Sequence, residues 1–186
     1  MRKNFENKTV VFPLPVLLIG TYDESGNADV MNAAWGGQCG PKHIALNLSQ
    51  HKTTDNLKVS KAFTISFPGK KDVVVADYFG IASGKNEDKI AKSGVHVTKS
   101  EYVNAPVVEE FPVTLECRVI SMTEELGELR VVGEVVNMSV DETVLDEKGS
   151  IDADKFEPIS YDPTDHSYRV LGGRIGHAFR DGAQLK

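Results

Sequence analysis

The alternation of apolar and polar positions divides this chain into short strands with a few helices between them. Val16 to Thr21 is a β-rich apolar run. It is followed by "DESGN", whose Asp, Ser, Gly and Asn suit a tight turn, and the chain returns over Ala28 to Ala34 as a second strand. In "KHIALNLS", Ile44, Leu46 and Leu48 share one face while Ala45, Asn47 and Ser49 share the other, which predicts a third strand. "TTDNLKVSK" predicts a short helix, with Thr53 or Thr54 as cap and Asp55 near the positive end of its dipole. "AFTISFPG" is a fourth strand stopped by Pro68-Gly69. "KDVVVADYFG" fits either period and is assigned to helix, and "NEDKIAKSG" is a further short helix closed by Gly94.

Beyond Val107 the pattern is β. "FPVTLECRVISMTEEL" and "GELRVVGEVVNMSVD" alternate around a hairpin turn between Glu125 and Glu128. "VLDEKGSIDADKFEPISYDP" reads as an acidic loop, and "SYRVLGGRIGHAFRDG" as a strand-like piece with a Gly-rich tail. The expectation is a mainly β domain of about six or seven strands with inserted short helices, a barrel or sandwich, spanning Met1–Lys186 as a single unit. Helices that do not alternate with strands, and the absence of GxGxxG after the first strand, argue against a doubly wound dinucleotide fold.

Composition narrows the class. The 186 residues are 40% hydrophobic and 26% charged, ordinary for a globular chain able to bury its own core. A formal net charge of -6 without a basic stripe argues against nucleic-acid binding. The apolar run "VVFPLPVLLIG" is broken by two prolines and too short to span a bilayer. Cys39 and Cys117 are far apart with no CxxC, which argues against a disulfide scaffold or zinc site and for a reducing, cytoplasmic setting.

Four segments could carry chemistry. "LNLSQHKTTDNL" crowds Ser49, His51, Lys52 and Thr53 between a strand and a helix. That is either a turn with an N-cap, or a seat for an anion at the helix's free N–H groups. "NAAWGGQCGP" places small residues beside Trp35, the single Trp, and is either a tight bend or a wall for a flat ligand. Cys39 here reads more simply as a small buried side chain than as a redox centre. "FGIASGKNEDK" is a surface loop, or else Ser83 and Gly84 offer donors while Lys85 and Lys89 add charge. The end holds His166, Tyr168, Arg174 and His177, where a lone loop His is more often inert than catalytic. No nucleophile elbow, HExxH or Walker loop is present.

In this order the pieces resemble the flavin reductase-like, FMN-binding split-barrel family. "FPLPVLLIGTYDESGNADVMNAAWGG" is similar to its opening, "SQHKTTDNL" to its phosphate turn and "ASGKNEDK" to its third loop; "PISYDPTDHSYRVLGG" is closest to the flavoredoxin branch. The resemblance covers nearly the whole chain. It implies a split β-barrel binding FMN, with Asn32, Ala33, Ala34 and Trp35 along the ring. Ser49, His51, Lys52 and Thr53 would hold the phosphate, and Ser83, Gly84 and Lys89 would close over the cofactor. His166 and Tyr168 would stand near the reactive face. His51 occupies a position where many relatives carry Arg, which leaves open whether it or Lys52 bears the anion. The resemblance further implies a homodimer with flavin near the subunit interface and NADH or NADPH as donor. A free flavin or small molecule would be the acceptor. The alternatives are a flavoredoxin-type carrier with a redox protein partner, and a flavin-free partner module. No metal is required.

Overall fold

The computed structural model describes residues 1–6 and 8–186. Its main sheet has seven strands. β2 (Leu17–Tyr22), β3 (Ala28–Ala33), β4 (Gly36–Gly40), β5 (His43–Leu48), β6 (Ala62–Phe67), β9 (Val113–Glu125) and β10 (Glu128–Val140) are arranged in the order β3-β2-β6-β9-β10-β5-β4. The two outer members, β3 and β4, are successive in the chain. β3 pairs antiparallel with β2, and after Ala34 and Trp35 the same run pairs with β5. The Trp35 carbonyl accepts from the Asn47 N–H at 2.8 Å, bridging the changeover. The sheet therefore closes on itself as a barrel, split where one extended run changes partners.

The interior follows from side-chain alternation. Leu17 and Ile19 of β2 point inward with Met31, Leu46, Leu48, Phe63, Ile65, Cys117 and Val131, while Leu57 joins them from α1 (Lys52–Ser60). Val16, Leu18 and Val30 face the other way. They pack on Ala76 and Phe79 of α2 (Val73–Ile81) and on Val108, Phe111 and Ile159. β2 is covered on both faces, so its apolar run has no polar alternation. Deleting Phe63, fully buried, would cost about 3–5 kcal/mol by the usual scale for core aromatics.

Smaller elements flank the barrel. α3 (Lys89–Ser93) starts at Asp88, whose carboxylate accepts from the Ala91 N–H at 3.0 Å, and ends at Gly94. β7 (Val97–Lys99) pairs with β8 (Pro106–Val108). A three-stranded sheet joins β1 (Leu14–Pro15), β11 (Ile159–Asp162) and β12 (Ser167–Val170). α4 (Ala153–Phe156) lies just before β11.

Four expectations change. Among the described residues twelve strands form rather than six or seven, because the pairs and triplets β1, β7 and β8 are too short for a periodic signal, and β11 was hidden in the acidic stretch. "GGQCG" is strand β4 and not merely a bend: three glycines remove the side-chain pattern, yet the backbone still pairs with β5. Its Cys39 is exposed and not buried, since this edge strand faces outward. The interval read as an acidic loop holds α4 and follows directly on a 3-10 turn at Glu142–Val144, each capped by an Asp carboxylate. The hairpin between β9 and β10 is as expected, turning at Leu126 and Gly127 with φ of 54° and 82°, the left-handed pair favoured by tight hairpins. "KDVVVADYFG" is helical over Val73–Ile81, where Ala76 and Phe79 form the buried stripe.

Candidate functional site

A groove runs across the split. One of its cavities, about 140 Å³, is walled by Asp29, Asn32, His51, Lys52, Thr53, and the run from Gly80 at the end of α2 to Gly84, with Lys89. The adjoining cavity, about 170 Å³, is walled by Asn32, Ala33, Ala34, Trp35, Ser49 and His51. Asn32 and His51 belong to both. Each of the eleven residues expected to touch the cofactor therefore lines one cavity or the other. Residues far apart in sequence meet here because β3 passes through the split while α1 and the 80–89 loop pack across it.

The N-terminus of α1 opens into the groove. His51 is its N-cap, with extended φ and ψ of -135° and 174°, and its side chain makes no capping bond. The helix thus begins at Lys52, and its cap is His51 rather than Thr53 or Thr54 as the sequence suggests. Thr54 secures the start: its Oγ1 accepts from the His51 N–H at 2.9 Å and donates to the His51 carbonyl at 2.8 Å. The first N–H groups of such a helix have no intrahelical acceptor and carry partial positive charge, which suits an anion.

Lys89 stands beside them and is 4% exposed. Its ammonium lies 3.1 Å from Asp29 Oδ1 and also donates to the Val30 carbonyl. A lysine has three N–H donors, so one is left for a ligand atom. Asp29, 2% exposed, accepts at its other oxygen from Thr53 Oγ1 at 3.0 Å. This revises the role expected of Thr53: its hydroxyl proton is committed to Asp29, leaving the backbone N–H as its donor toward an anion. Lys52 is 3.3 Å from Asp23, whose carboxyl lies below its ordinary value first through the Asn27 backbone N–H and only then through Lys52. Lys85 turns outward to Asp55 at 2.8 Å.

The other cavity is plainer. Ala33 and Ala34 give a small-residue wall and Trp35 stands 60% exposed at its rim. Ser49 was expected with the phosphate cluster. It lines this cavity instead and donates to Glu128 Oε1 at 3.2 Å, because strand alternation at the end of β5 turns it away from Thr53. Asn32 is held in place by its Nδ2 donating to the Ala76 carbonyl at 2.8 Å.

The C-terminal pair falls outside both linings. Tyr168 on β12 donates to Asp77 Oδ1 at 2.9 Å. Burial first, and then that carboxylate, push its phenol up to about 12, against an opposing pull from the Asn32 side chain. Tyr168 is thus next to the groove through Asn32, and keeps its proton at neutral pH. His166 is exposed in the β11–β12 turn at φ 59°, its Nδ1 2.6 Å from Tyr161 Oη. Arg174 and His177 lie in an exposed tail.

Asp29 is the functional candidate that sequence reasoning missed. The available signal was the one charged residue in the strand "ADVMNA", a carboxylate that is costly to bury unless paired. Among the described residues no cluster of three or more His, Cys, Asp or Glu could hold a metal ion, and no helix is long and apolar enough to cross a membrane.

Comparison with known proteins settles the family. The flavin reductase like domain model matches residues 9–162. The chain belongs to that family. It is similar to flavoredoxin of Desulfovibrio vulgaris (Miyazaki F), with 37% identity and a TM-score of 0.93, covering 98% of this chain and 100% of that one. Flavoredoxin from Methanosarcina acetivorans aligns over the whole of both chains at 28% identity and a TM-score of 0.91. The uncharacterized protein YddH of Escherichia coli K12 is 29% identical over 154 residues, covering 79% of this chain and 82% of YddH. The split barrel with flavoredoxin-like topology is the fold expected from the sequence.

Proposed function

We propose that the protein is an FMN-binding oxidoreductase that passes electrons from NADH or NADPH through FMN to a free flavin or another small acceptor. The observation that carries this reading is the continuous groove with an anion seat at one end and a small-residue wall at the other. Its residues fit the mononucleotide. The first N–H groups of α1, the spare N–H of Lys89 and the nearby Lys52 suit a phosphate. Ala33 and Ala34 let a flat ring approach β3, while Trp35 and Asn32 border it. When bound, FMN supplies the hydride and electron chemistry itself. The chain's own work is to bind, orient and shield, and Tyr168 stands on the side of the groove reached through Asn32, with His166 in the turn before its strand. Tyr168 acts there as a fixed hydrogen-bonding group, because its proton is committed to Asp77.

The likeness to two flavoredoxins favours a second reading, a carrier that retains FMN and exchanges electrons with a redox protein partner. We further propose a cytoplasmic homodimer. Its support is the apolar surface left uncovered at both termini: Val11, Phe12, Leu171, Ile175 and Phe179 are all exposed.

Purified protein should carry or take up FMN with a flavin absorbance band, and should bind FMN at least about tenfold more tightly than riboflavin, as one charge-assisted contact implies. Equal affinity for the two would refute the phosphate seat. Steady-state NAD(P)H oxidation that accelerates with added free flavin marks the enzyme, and oxidation only with a protein acceptor marks the carrier.

A further inference from the structure

Asp29 joins three chain segments that meet at the anion end. Its Oδ1 holds Lys89 of α3 at 3.1 Å, and its Oδ2 holds Thr53 of α1 at 3.0 Å. The third segment is the 83–88 loop: a Cβ on Gly84 would collide with Asp29 Oδ1 and sit 3.2 Å from Lys52 Cδ. Gly84 is thus the residue that lets the loop lie against the carboxylate. Lys89 and Asp29, with Lys52 and Gly84, also line an adjoining wider cleft of about 740 Å³, so the pair stands where the two spaces meet.

We propose that Asp29 is the positioning residue of the anion seat, fixing the Lys89 ammonium and the first turn of α1 in the arrangement that receives the phosphate of FMN. The proposal rests on the FMN reading and adds a residue to it. Two of the three Lys89 N–H groups are directed by Asp29 and by the carbonyl of its neighbour Val30, so the direction of the third follows from β3. A buried ion pair adds little stability over an apolar pair of equal volume. What this one adds is geometry: a long, flexible side chain is held to one position at the end wall of a binding groove.

A double-mutant cycle tests it, with FMN and riboflavin titrated into wild type, Asp29→Asn, Lys89→Met and the combined variant. Asp29→Asn should weaken FMN about tenfold or more, and riboflavin by no more than about twofold. Because the amide oxygen of Asn can still accept the Thr53 hydroxyl, Asp29→Asn acts through Lys89, and the combined variant should bind FMN no worse than Lys89→Met alone. Losses that multiply, or equal losses for both flavins, would overturn the assignment, since a merely structural role makes no distinction between ligands. Gly84→Ala provides a second route should Asp29→Asn fail to fold, because it crowds the carboxylate without removing its charge. Selective loss of FMN supports the proposal, and unchanged FMN binding overturns it. A wild-type protein with no preference for FMN over riboflavin would overturn the underlying reading as well. A preference that survives intact in Asp29→Asn would overturn the Asp29 assignment alone.

Discussion

At one end of the groove Asp29, Thr53 and Lys89 are each no more than 4% exposed and are tied to one another; at the other Trp35 is 60% exposed and Ser49 is held only by an exposed bond to Glu128. The first end is finished within one chain. The second lies on the edge around β4, where the backbone has just changed partners. Charged groups must be desolvated and oriented in advance to be useful, so they are built into the core. A flat ring needs chiefly a surface, part of which a second protomer would supply in the proposed homodimer.

The largest effect should come from breaking the buried end. Lys89→Met leaves the Asp29 carboxylate in the wall without its counter-ion, and removing one partner of a buried pair costs about 3–5 kcal/mol. Urea unfolding should register that loss, together with weaker FMN binding. Trp35→Ala at the open end should change stability much less, as expected for an exposed residue. A Lys89→Met protein as stable as wild type would mean that the two ends do not differ in the way described.

Lys52 lies between these extremes. It is partly exposed and paired with Asp23, so Lys52→Ala should cost no more than about 1 kcal/mol of stability. FMN affinity should still fall, by several-fold up to about tenfold, with riboflavin unaffected. The Asp23 carboxyl is lowered mainly by the Asn27 N–H, so losing Lys52 should move its titration only slightly upward in an NMR experiment. A large upward move would show that Lys52 spends its charge on Asp23 rather than on the ligand.

The same contrast explains how much could be read beforehand. The groove residues were legible because their types are chemically explicit: a hydroxyl and lysine cluster before a helix, and small residues beside the single Trp. Asp29 was not, because its partners lie 24 and 60 residues away in Thr53 and Lys89, and only the fold joins them. Ser49 and Thr53 were grouped by proximity in sequence, but the end of β5 and the start of α1 present them to different cavities. The long strands announced themselves by alternation. β4 did not, since a glycine-rich strand has no side-chain pattern to read.

Trp35 sharpens the open end. If a flavin ring lies along Ala33 and Ala34, emission from this single Trp should be quenched on adding FMN and recover when FMN is removed. Trp35→Phe should leave FMN affinity within about a few-fold of wild type, because the mutant still offers an aromatic face. Unchanged emission on titration would move the ring away from this cavity.

The smallest structural effect, and the finest distinction, concerns His166. Its exposed ring is held by one hydrogen bond to Tyr161, so His166→Ala should alter stability by no more than about 0.5 kcal/mol. FMN binding should be retained, because His166 lines neither cavity. If the β11–β12 turn approaches the donor nucleotide, stopped-flow reduction by NADH or NADPH should slow while the flavin titration stays at wild type. Tyr168→Phe separates this turn from the framework behind it. That variant loses the bond to Asp77 and leaves a half-buried carboxylate short of a donor, so it should lower stability by about 1 kcal/mol. It should disturb Asn32, and with Asn32 the ring end of the groove. Slower reduction in His166→Ala with no change in stability, set against a stability loss in Tyr168→Phe, would assign the turn to the reaction and the strand to its support. Wild-type reduction rates in His166→Ala would leave His166 as a turn residue only.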